Sequence, residues 1–141
     1  MRYPHIFFFV LAMIILSGGT KLSANDAGFY RQKAAHAFAD QRYLQAASYA
    51  AHALAENRSD KQMHILLVRA SDKMGAGTKH VSALYQQALA AYPRSPELLA
   101  HASGFYRRSG RQNYADRLAA QFEQICQFNC RQYRNHMGSG R

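Results

Sequence analysis

"AYPRSPELLAHASGFYRRSG", residues 91–110, decides the fold. Pro93 and Pro96 punctuate its start, an apolar stretch at helical spacing follows, and Gly110 closes it. Proline is tolerated at the first position of a helix and glycine is favoured just past the last. The stretch therefore reads as the seam between two helices, followed by the opening of another hairpin. The same reading extends outward. Alanine-rich segments with apolar residues three and four apart run through most of the chain, and strand signals are almost missing. The interruptions are short: "DQR" at 40–42, "NRSD" at 57–60, "GAGTK" at 75–79, "YPRSP" at 92–96 and "SGRQN" at 109–113. Six helices joined by tight turns are predicted. Gly75 and Gly110 fit helix C-termini that need a positive φ. Asp60 and Ser95 fit N-caps, where a side-chain oxygen accepts from the first amides.

The segments repeat. "YLQAASYAAHALAE" (43–56), "TKHVSALYQQALAAYP" (78–93) and "NYADRLAAQFEQ" (113–124) align Ala46 with Val81 and Ala115, and Ala53 with Ala88 and Phe122. The period is 34 to 35 residues. A helix pair of that length with small residues at the crossings resembles the tetratricopeptide repeat (TPR). "QQALAAYP" is the most family-like phrase, and Leu99, Ala102, Ser103, Tyr106, Gly110 and Ala115 match the third unit. Phe122 and Arg69 depart from the pattern by standing where small residues are expected. The resemblance implies an all-α fold of antiparallel helix-turn-helix repeats stacked as a short right-handed α-solenoid. It covers three hairpins, at about 27–60, 61–95 and 96–127. One hairpin cannot bury its own apolar face, so about three are needed. The plainer alternative is a six-helix bundle without functional repetition.

The resemblance also implies an inner groove lined by the first helix of each pair. Its residues are Arg31, Ala35 and Phe38 in the first unit and Met63, Leu66, Ala70 and Lys73 in the second. The third supplies Ala100, Gly104, Arg107 and Arg108, with Glu97 at its start. Ala35, Ala70 and Gly104 stand where carboxylate-clamping relatives carry asparagines, which points to a different protein or peptide ligand. Arg31, Lys73, Arg107 and Arg108 are expected to form one basic rim. The alternative is that the groove packs against the chain's own tail or another copy.

Arg2, the eleven apolar residues 6–16 and Leu22-Ser23-Ala24 follow the order of a secretory signal peptide, with cleavage expected after Ala24. The run falls short of the roughly 20 residues of a spanning helix, so no stable membrane span is expected after cleavage. An uncleaved anchor is the alternative. Without Arg2 and Lys21, Lys+Arg falls from 18 to 16 against 8 Asp+Glu, a net charge of +8. Such a balance favours anionic partners, or serves solubility alone. In an exported protein an acidic protein face or acidic glycan is expected, and no nucleic acid. Cys126 and Cys130 in "ICQFNC" would form a disulfide in an oxidising compartment. Their α-carbons lie one turn apart if the segment stays helical. Residues 128–141 read as a cap and a basic tail, with Ile125, Phe128 and Tyr133 covering the exposed end and "HMGSGR" frayed.

Chemistry leaves no pattern. His36, His52, His64, His80 and His101 fall singly on different helices and read as surface residues, without any metal-ligand spacing. "GAGTK" lacks the glycine spacing and Lys-Ser/Thr order of a P-loop. The eight acids are scattered, and no two form an acid/base couple on one helix face. "NRS" at 57–59 is a glycosylation sequon, relevant only in a eukaryotic pathway. No enzyme, catalytic residue, metal or cofactor is expected. Two readings follow: an envelope adaptor for a secretion, pilus or cell-wall assembly, or a glycan-associated module of an exopolysaccharide export system.

Overall fold

The computed structural model describes residues 24–126 and 130–138. The segment read as a signal peptide, save Ala24, which opens the first helix, and Phe128 of the expected cap lie outside them. Seven helices and no strand are found among the described residues: α1 Ala24–Ala39, α2 Tyr43–Glu56, α3 Lys61–Lys73, α4 Thr78–Ala91, α5 Pro96–Arg108, α6 Gln112–Ile125 and α7 Arg131–Met137. The first six pair as three hairpins, α1/α2, α3/α4 and α5/α6. Each packs on the next, α2 and α1 against α3, and α4 and α3 against α5. The all-α array of stacked hairpins read from the sequence is what the chain forms.

Repetition is visible in the backbone hydrogen bonds. The first helix of each hairpin ends in a left-handed residue, Gln41 (φ 60°), Gly75 (φ 74°) or Gly110 (φ 78°). The following amides turn back five residues, Arg42 to Ala37, Ala76 to Ser71 and Arg111 to Tyr106, at 2.8–3.0 Å. That pairing closes two orphan carbonyls at each helix end. The second helices end alike: the amides of Asn57, Tyr92 and Cys126 donate to the carbonyls of Ala53, Ala88 and Phe122. The N-caps also stand where expected. Asp60 Oδ1 accepts from the Gln62 and Met63 amides at 3.1 and 3.2 Å, and Ser95 Oγ from Leu98 at 3.4 Å.

The aligned positions are core. Ala46, Val81 and Ala115 are buried, as are Ala53, Ala88 and Phe122. Small residues there let backbones approach, while Tyr85, Tyr106, Leu98 and Leu99 fill the spaces between hairpins. Phe122 is fully buried despite its size. The core is uneven. One large cluster runs from Ile65 and Val68 through Val81, Tyr85, Phe105 and Leu118 to Met137. Two small ones hold the first hairpin, built on Ala34, Ala50, Ala53 and Met63, and on Ala37, Ala46, Ala47 and Ala70.

In the C-terminal segment the helix bounds and the last residues differ from the expectation. α6 stops at Ile125, so the Cys126–Cys130 bridge, with α-carbons 5.8 Å apart, spans a helix end and the start of α7. α7 folds back onto α5. His136 and Met137 close that helix instead of fraying, because Met137 adds its side chain to the large core cluster. Ile125 and Tyr133 pack against the same cluster.

Candidate functional site

The inner face is formed by α1, α3 and α5, and it is divided. Its N-terminal half is an open cavity of about 520 Å³, lined by Arg31, Ala35, Phe38, Met63 and Leu66 together with Gln32, Gln62, Arg69 and Glu97. Five residues of the predicted groove therefore meet here. The walls are apolar and the edges are charged. Arg31 Nε lies 2.9 Å from Asp60 Oδ2, the carboxylate that also caps α3. Arg69, out of place by the repeat pattern, stacks its guanidinium 4.8 Å above the Phe38 ring and reaches Glu97 at 3.6 Å. A guanidinium over an aromatic face is held by the ring quadrupole and by packing of its own plane. Phe38 is held in turn edge-on by Tyr43, with ring centroids 5.4 Å apart.

The C-terminal half is covered by α7. Ala100 and Gly104 are buried, and a methyl group placed on Gly104 would run into the carbonyl of His136. Arg107 donates to the Met137 carbonyl at 2.7 Å and to Asp116 at 2.8 Å. Arg108 pairs with Asp72 at 2.7 Å across to α3. Lys73 lines a separate hollow of about 490 Å³ with Arg69, Asp72, Tyr85, His101, Arg108 and His136. Ala70 is buried behind the groove, in the alanine cluster of the first hairpin. The four cations expected to form one rim are thus distributed. Arg31 stands at the open half, Lys73 and Arg108 at the hollow beside α7, and Arg107 against the end of α7.

His101 is not an ordinary surface residue. It is half-buried and its ring lies against that of His136, tilted by 33° with centroids 4.1 Å apart. Burial, then the nearby Arg69, His136, Arg108 and Lys73, lower its pKa from 6.5 to about 3. His136, itself exposed, is lowered by partial desolvation and by Arg69, with Glu97 opposing. Burial and Asp72 push the Tyr85 hydroxyl up, so it stays protonated. No group of three or more His, Cys, Asp or Glu side chains able to hold a metal occurs among the described residues.

One site feature escaped the sequence reading, and a second stood in it only as the alternative that the chain's own tail packs on the groove. Arg69 was legible only as an exception to the repeat, and that exception marks where it reaches the groove. Coverage of α5 by α7 had one signal, a glycine inside an otherwise regular helix, which marks close backbone approach. Fold and site together define a short array of helical hairpins with a partly open inner face. No model of a known protein family matches the chain, and no curated protein matches it closely enough to be a relative.

Proposed function

We propose that this chain is an exported, non-enzymatic TPR-like scaffold that binds a protein or peptide of acidic character in the cell envelope. The partner sits in the open half of the inner groove. The observation that carries the reading is the cavity itself, where Phe38, Met63 and Leu66 offer apolar contact beneath the guanidiniums of Arg31 and Arg69. Exposed charge pairs contribute only about 0–1 kcal/mol each, so the apolar floor supplies affinity while the arginines set orientation and encounter rate. An excess of positive charge, +8 once Arg2 and Lys21 are removed (16 Lys+Arg against 8 Asp+Glu), steers an acidic partner from a distance.

Export is supported by the order of residues 2–24 and by the disulfide, which belongs to chains folding in an oxidising compartment. No helix among the described residues is long and apolar enough to cross a membrane. The glycan reading has less support, since Tyr85 and Tyr106 are spent inside the core.

Site-specific photo-crosslinking in the native envelope tests the reading. A crosslinker at Leu66 should give one defined adduct, lost when Arg31→Glu is added. The same group at Leu44, exposed on α2, should give none. An adduct from Leu44 alone, or none from Leu66, would place the binding face elsewhere.

A further inference from the structure

The part of the inner face formed by α5 is covered by the chain itself, and the cover is held in three ways. Gly104 allows the His136 carbonyl to come close. Arg107 takes the last carbonyl of the helix, that of Met137. The rings of His101 and His136 are in contact, tilted by 33° with centroids 4.1 Å apart. Between α6 and α7 the Cys126–Cys130 bridge keeps the two ends together.

We propose that α7 is a releasable cover: docked on α5 at neutral pH, it is freed when the His101–His136 pair takes up protons, lengthening the partner groove from two hairpins to three. The last step rests on the groove being the partner site; the release does not.

The surroundings of the pair make a proton unwelcome. From α3 come Arg69, Asp72 and Lys73, from α4 Tyr85, and from α5 Glu97, Arg107 and Arg108. Beyond these neighbours α6 carries Asp116 and Glu123, which reach Arg107 and Arg134, and α7 itself carries Arg131, Tyr133 and Arg134. Every one of these carboxylates already faces an arginine: Asp72 with Arg108, Glu97 with Arg69, Asp116 with Arg107 and Glu123 with Arg134. A charge added to either ring therefore meets a cluster with cations in excess. Two imidazolium rings this close also repel each other.

Both imidazoles have lowered pKa values when α7 is docked, His101 near 3 against its ordinary 6.5. The docked state binds fewer protons than the released one. Docking is therefore at full strength above about 6.5 and weakens as pH falls from there toward the docked values. Once freed, α7 stays tethered through its bridge, so its local concentration remains high and re-docking on neutralisation is rapid.

Backbone and imidazole NMR of the oxidised protein tests this, without any partner. Between about pH 7.5 and about pH 4.5 the amides of α7 should lose their helical shifts while those of α1 to α6 keep theirs. The His101 and His136 ring signals should titrate with the same midpoint as that loss. Gly104→Ala should release α7 already at neutral pH with α1 to α6 unchanged. An α7 still docked at the acid end, ring signals titrating apart from its release, or an α7 still docked in Gly104→Ala would each overturn the proposal.

Discussion

Tyr106 shows how one side chain ties two hairpins together. Fully buried on α5, it donates to the Ser82 carbonyl at 3.2 Å and shares a hydrogen bond with Ser82 Oγ at 3.0 Å, on α4. Tyr106→Phe keeps the packing and strands buried Ser82, so we expect a loss of about 1–2 kcal/mol in urea denaturation. Asp60 serves twice, as N-cap of α3 and as partner of Arg31. Asp60→Ala should therefore cost about 1–2 kcal/mol, whereas Asp60→Asn, which can still cap, should cost only a few tenths. Equal losses would assign the stabilisation to the ion pair. What was legible at this scale was local. Asp60, Ser95, Gly75 and Gly110 act within a few residues of themselves, so their types announce them. Gln41 takes the same left-handed conformation with a side chain that carries no such signal. His101 meets its partner on another helix, and nothing near it in sequence points there.

At the scale of the element, α7 is the helix whose place was least foreseeable. Seven residues are too few to hold a helix in water by themselves, so its conformation comes from α5 beneath it and from the bridge before it. The ring closed by Cys126 and Cys130 is short. Loop-closure entropy for such a ring amounts to about 2 kcal/mol. Reduction should therefore lower global stability by no more than that, and hydrogen exchange should quicken in α7 well before it does in α5 or α6. Equal quickening in every helix would mean that the bridge braces the whole array. The six longer helices were legible because each carries its own apolar stripe and its own stop. α7 was not: Tyr133 stood out as a covering residue, but Met137, the side chain it buries in the core, lies in a stretch that reads as tail.

Across the whole molecule, the repeat spacing carried the most information. Residues 34 to 35 apart recur in equivalent packing positions because each hairpin presents the same face to the next. Spacing could not tell how strongly each interface is held. The interface between the second and third hairpins is filled by tyrosines, leucines and phenylalanines, and that of the first hairpin chiefly by alanines. Large side chains remove more apolar surface from water than alanine does. Native-state hydrogen exchange should therefore find α1 and α2 opening at lower free energy than α5 and α6, with α3 between. Uniform protection would show one cooperative unit instead.

The open cavity lies on that gradient, with α1 as its soft wall and α3 as its firm one. A ligand seated between them would do more than occupy space. It would supply the bulky apolar contact that alanines leave out and complete a core that the chain alone builds thinly. Part of the binding energy would be spent on stilling α1 and α2. Affinity would then be modest for the area covered, and the first hairpin would become rigid only in company.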